Sequence, residues 1–118
     1  KSIVILITDM LDDEDRLIKT LQNLRGMGND VIVFHVMDDA ELNFTFNEAS
    51  QFVDMESDES FITTPAAIRK AYLENLNEFL AFCKKQCQRS GVDYCLMNTS
   101  EPLDAALSAY MSKRAKSF

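Results

Sequence analysis

The chain alternates between short aliphatic runs and longer segments in which apolar residues recur at helical spacing. Ser2 to Thr8 is β-branched and aliphatic with no polar alternation, the pattern of a strand covered on both faces as in a parallel sheet. Leu17, Ile18, Leu21 and Leu24 then keep helical spacing, behind an acidic start at Asp12, Asp13, Glu14 and Asp15, and Gly26 or Gly28 ends that helix. Val31 to Met37 is a second buried strand, and a helix between two such strands builds a parallel sheet.

From Asp38 to Thr63 short alternating segments surround Phe44, Phe46, Phe52 and Phe61, and the polar stretch Glu56-Ser57-Asp58-Glu59 reads as a turn. Residues 38–63 are therefore expected to form a β-hairpin excursion. Thr64-Pro65 supplies an N-cap with proline at the first helical position. Ile68, Tyr72, Leu76, Phe79, Leu80, Cys83 and Cys87 make one apolar stripe over about 65–90, until Gly91 stops it. Such a helix overhangs any ordinary sheet. Val92 to Met97 is a third strand, and Ser100-Glu101-Pro102 opens a last helix with Leu103, Leu107, Tyr110 and Met111 on one face. The expected fold class is α/β: a partial doubly wound, Rossmann-like parallel sheet of three strands with flanking helices. Three strands are few for a doubly wound sheet, and the first, 2–8, becomes an exposed edge. A complementary part upstream of Lys1 is expected, and the bare edge makes a homodimer through 2–8 a natural outcome.

Composition narrows the function classes. With 12 Lys and Arg against 19 Asp and Glu, the net charge of -7 opposes phosphate backbones and excludes nucleic acid as the expected partner. The longest aliphatic run, Ile3 to Ile7, is far short of the roughly 20 residues of a membrane helix, so no direct insertion is expected, although a parent protein could be tethered. Three cysteines, Cys83, Cys87 and Cys95, read as buried reduced thiols of a cytoplasmic protein.

Asp9 is the leading candidate site residue, because it follows a buried strand at the carboxyl end of the sheet, where open α/β folds bind ligands. Thr8, Asp12 and Asp13 are possible supporting groups, with helix capping the competing role for the acids. His35, the only histidine, shares a strand face with Val33 and Met37 and reads as a hydrogen-bonded core or interface residue rather than a catalytic one. The four phenylalanines of the excursion, Phe44, Phe46, Phe52 and Phe61, are either a partner surface or a small core under the long helix. No G-x-S-x-G, Cys-His or Ser-x-x-Lys setting and no Gly-rich phosphate loop is present, so no catalytic residue is expected and the chain reads as non-enzymatic.

Three stretches resemble a known family: Leu6-Ile7-Thr8-Asp9-Met10-Leu11-Asp12-Asp13, then His35 through Phe46, then Thr99-Ser100-Glu101-Pro102-Leu103. They look like the closing half of the von Willebrand factor A-like domains of the bacterial domain-of-unknown-function 58 family, which accompany MoxR-type AAA ATPases. The resemblance implies a protein-interaction module in which Asp9 is one ligand of a Mg²⁺ or Mn²⁺ site that grips a partner's carboxylate. It also implies that most ligands come from an Asp-x-Ser-x-Ser loop this chain lacks, so the metal site here is partial and no cofactor is expected in these residues alone. The alternative is a Mg-dependent receiver-like or other flavodoxin-like phosphoryl-handling domain. That reading needs an acidic pair and a lysine at strand ends, which the sequence does not supply.

Overall fold

The computed structural model describes residues 2–11, 14–55 and 64–116. Three strands form one parallel sheet in the order β1 (Ile3–Thr8), β2 (Asp30–Met37), β3 (Asp93–Asn98). The register runs from Ile3 opposite Asp30 to Thr8 opposite His35, and from Ile32 opposite Asp93 to Met37 opposite Asn98. Only β2 is hydrogen-bonded on both sides, and it supplies most of the strand residues in the core. β1 and β3 are both edges.

Side-chain alternation divides the sheet into two faces. On one face Val4, Leu6, Val31, Val33 and Tyr94 pack with Leu17, Ile18, Leu21 and Leu24 of α1 (Glu14–Gly26). Met10, Val92 and, from the long helix Pro65–Arg89, Phe79, Cys83 and Cys87 complete that core. On the other face Ile32, Phe34, Cys95 and Met97 meet Ala106, Leu107 and Tyr110 of the last helix, Leu103–Lys116. Phe34 and Tyr110 stack edge to face with ring centres 5.3 Å apart. This second cover stops at β2, leaving Ile3, Ile5 and Ile7 exposed at 62%, 54% and 69%.

The long helix begins and ends where its sequence dictates. Thr64 Oγ1 accepts the Ala67 N–H at 3.1 Å, and Pro65 occupies the first turn, where its missing N–H costs nothing. At the other end the Val92 N–H reaches the Cys87 carbonyl and the Gly91 N–H the Gln88 carbonyl, a Schellman closure that needs the positive φ of 71° at Gly91.

Residues 39–55 differ from expectation: they form two helices, α2 (Asp39–Asn43) and α3 (Phe46–Met55), and not strands of a hairpin. The physical reason is two reciprocal capping arrangements. The Asp38 N–H reaches Glu41 Oε1 at 3.2 Å; Thr45 and Glu48 exchange backbone N–H to side-chain oxygen bonds at 3.3 Å each. Ala49, fully buried, lies three residues before Phe52, a helical spacing that the alternating aromatics concealed. Residues 56–63, including Phe61 and the Glu56-Ser57-Asp58-Glu59 stretch, lie outside the described residues. The long helix is thus α4, the last helix α5, and the two new helices clasp the part of α4 that overhangs the sheet.

That overhang governs the shape. At 25 residues α4 is about 37 Å long by the usual rise per residue. The molecule measures 56 × 31 × 17 Å. Its radius of gyration is 17.5 Å, against about 13.5 Å for a compact domain of this length. Its accessible surface of 8240 Å² likewise exceeds the roughly 6500 Å² of a compact monomer of the same mass.

Candidate functional site

Asp9 sits on the carboxyl rim of the sheet, as its position after β1 requires, with its side chain exposed. Its Oδ1 accepts the Leu11 N–H at 3.0 Å, and Thr8 Oγ1 accepts the Met10 N–H at 3.0 Å, so both side chains order the turn that leaves the strand. Between them Met10 takes a positive φ of 60°, a region costly for a side chain with a Cβ. Burial of the Met10 side chain in the α1 and α4 core, at 4% exposure, offsets that cost.

The turn is anchored from inside the protein by His35. The imidazole is fully buried; Nε2 lies 3.1 Å from the Asp9 carbonyl and Nδ1 lies 2.6 Å from the Tyr94 hydroxyl. A carbonyl can only accept, so Nε2 carries the proton and donates it to Asp9, while the neutral Nδ1 accepts from Tyr94. Burial is the main cause that holds the His35 pKa below its usual value, opposed by the Asp9 carbonyl and the Asp9 charge. Burial likewise raises the Tyr94 phenol well above its ordinary range. The histidine therefore works as a neutral bridge across all three strands: it stands on β2, accepts a hydrogen bond from Tyr94 of β3 and fixes the turn after β1. Phe79 of α4 closes the ring's open side, edge to face at 5.9 Å.

The rest of the rim is a latch between β2 and β3. Thr99 Oγ1 donates to Asp38 Oδ1 at 2.9 Å, and Asp39 Oδ1 accepts from Asn98 Nδ2 at 3.0 Å and Asn43 Nδ2 at 2.6 Å. The sequence reading missed this latch. Its signal was Asp38-Asp39-Ala40-Glu41, which has the spacing of a capping box and marks the end of β2 as a helix start.

The described residues of the rim do not by themselves supply the oxygens for the ion that the family resemblance implies. A Mg²⁺-sized ion takes about six oxygens, yet Asp9 and Thr8 are engaged with the backbone, and Asp38 and Asp39 with side-chain donors. Among the described residues no group of three or more His, Cys, Asp or Glu side chains is gathered to hold a metal. Asp12 and Asp13 lie outside the described residues.

The aromatic candidates separate. Phe44 stacks on Tyr72 with ring centres 4.2 Å apart, while the Tyr72 hydroxyl donates to the Glu41 carbonyl at 2.8 Å and Arg69 Nε to the Phe44 carbonyl at 3.0 Å. Phe44 is thus part of a small core under the overhanging helix, whereas Phe52 is 46% exposed. The three cysteines are in no disulfide, and Cys83 and Cys87 lie in the main core; desolvation raises the Cys87 thiol to about 11, which keeps it protonated and inert at neutral pH.

The larger open feature is the β1 side of the sheet. Ile3, Ile5 and Ile7 face outward there beside a backbone edge that has no strand partner among the described residues. On α5, Leu103 and Met111 are exposed at 64% and 59%. They are expected on the buried face with Leu107 and Tyr110, but of these four residues only Tyr110 is buried. Among the described residues no helix is long and apolar enough to cross a membrane. Against protein-family models, curated proteins and solved structures, the chain finds no match in any of the three comparisons.

Proposed function

We propose that this chain is a non-enzymatic protein-interaction module, the closing part of a von Willebrand factor A-like domain, and that β1 is the seam at which it meets the rest. The observation that carries this reading is the β1 edge, bare among the described residues, beside Ile3, Ile5 and Ile7, which are more than half exposed. Single exposed aliphatics are ordinary, but three on one strand face form an apolar surface of the kind proteins reserve for association. The large surface for the mass points the same way. A strand added along β1 with a helix above it would satisfy the free N–H and C=O groups and cover the isoleucines together.

The partner class follows from the family resemblance: a MoxR-type AAA ATPase acting with the completed domain. Asp9 would be a metal ligand only with oxygens supplied from outside these residues, so the reading does not depend on an ion. Hydrogen exchange tests it. The amides of Ile3 to Thr8 should exchange markedly more slowly when the chain is joined to its native upstream sequence than in the 118-residue chain; equal exchange rates in the two would refute the seam.

A further inference from the structure

The backbone of β1 fixes which of its residues can bond to a new strand. The Ser2 carbonyl accepts the Asp30 N–H at 2.9 Å, and the Ser2 N–H donates to Asn29 Oδ1 at 3.1 Å, so the backbone groups of Ser2 point toward β2. These groups alternate sides along a strand, so Ile3, Ile5 and Ile7 turn their N–H and C=O away from β2. The same three residues carry their side chains onto the open face. Ile3 to Thr8 holds neither a charge nor a proline, the usual guards of an edge strand against pairing.

Register identifies the occupant. In an antiparallel pair, residues with outward groups stand opposite one another and exchange both bonds. Between two copies of β1, only the alignment that sets Ile5 opposite Ile5 and Ile3 opposite Ile7 engages all three isoleucines of each. The same alignment sets half-buried Val4 opposite Leu6 and Ser2 opposite Thr8, and in sequence it matches Lys1 with Asp9. The segment from 1 to 9 is thus a chemical palindrome about Ile5: apolar meets apolar, hydroxyl meets hydroxyl and opposite charges meet, with no like charges opposed. A twofold interface demands such self-complementarity, because residue i meets j while j meets i. Pairing with an unrelated strand demands nothing of the kind.

We infer that a second copy of this chain occupies the β1 edge, its own β1 running antiparallel about a twofold axis at Ile5, so that the two sheets join into one. The inference rests on the reading of β1 as an open seam and names what fills that seam when the rest of the domain is absent.

Single cysteines read the register. Opposed Cα atoms in such a pair lie about 5.5 Å apart, within the roughly 4.4 to 6.8 Å that a disulfide spans. In the 118-residue chain, Ile5→Cys should therefore cross-link to itself under copper-phenanthroline in air. Ile3→Cys or Ile7→Cys alone, each about 14 Å from its own image, should give at least fivefold less dimer, and mixing the two should restore it. The unaltered chain corrects for Cys83, Cys87 and Cys95, and circular dichroism checks that each variant is folded. No excess dimer from Ile5→Cys, equal cross-linking by all three variants, or Ile3→Cys linking to itself as readily as to Ile7→Cys would each overturn the twofold register. Joined to the native upstream sequence, Ile5→Cys should lose at least fivefold of its cross-link; an undiminished yield there would refute the seam and leave the pairing standing. Amide protection by the upstream sequence with no Ile5→Cys cross-link in the free chain would leave the seam and refute the pairing.

Discussion

The two faces of this sheet are made from similar strand residues yet have opposite fates. One is covered over all three strands by α1 and α4 and holds Leu21, Val33 and Cys87 at zero exposure; the other is covered by α5 over β2 and β3 alone, and Ile3, Ile5 and Ile7 remain in solvent. Both faces of β1 are aliphatic, so the difference does not come from the strand. It comes from the number of helices: two on one side and one on the other. An aliphatic residue thus reports what a face is built to meet, while its burial reports what is present.

Matched truncations give the largest expected effect. Leu21→Ala on the covered face should cost about 2 to 5 kcal/mol of folding stability, as buried leucines generally do. Ile5→Ala on the open face should stay within about 0.5 kcal/mol, as surface substitutions usually do. Chemical denaturation of the monomer checks both, and similar losses at the two positions would break the comparison. Next comes the polar bridge inside the covered face. Tyr94→Phe removes the donor to His35 Nδ1 and leaves a buried acceptor unpaired, for an expected loss of about 1 to 3 kcal/mol.

The same histidine predicts a pH dependence. Its folded pKa lies below the ordinary 6.5, so below pH 6.5 the unfolded chain takes up a proton that the folded chain resists. Its contribution is therefore fully present above 6.5 and lost as pH falls from there through the folded value. His35 is the only histidine in the chain, so a thermal melt series between pH 7 and 5 reads it directly. The midpoint should fall on acidification, and a midpoint that held level or rose would contradict the neutral bridge. The smallest effect is expected at Ser90, whose buried hydroxyl has no hydrogen-bond partner among the described residues. Ser90→Ala should be neutral or stabilising by up to about 1 kcal/mol, since it removes an unpaired polar group.

The parallel sheet, its three strands and the long capped helix were legible in the sequence because they rest on short-range signals: aliphatic runs, Thr64-Pro65 and Gly91. The hairpin expectation failed where two local signals competed. Phe44 and Phe46 alternate as a strand would, but Asp38 with Glu41 and Thr45 with Glu48 carry the N-terminal chemistry of helices, and capping fixes backbone where alternation only suggests a face. At the rim, the position of Asp9 followed from the strand before it. Its tie to His35 and Tyr94 joins residues 26 and 59 positions apart across three strands, and no local pattern encodes such a bond. The exposure of Leu103 and Met111 was illegible for a related reason: helical spacing shows which residues share a flank, not whether anything lies beneath it.

Sedimentation equilibrium of the 118-residue chain over a wide concentration range, beside Ile5→Lys, measures most directly whether the open face seeks a partner. The weight-average mass of the unaltered chain should climb above 13.4 kDa with concentration, while Ile5→Lys, equally folded, stays monomeric. A monomer at every concentration in both, or association that Ile5→Lys leaves unchanged, would contradict it.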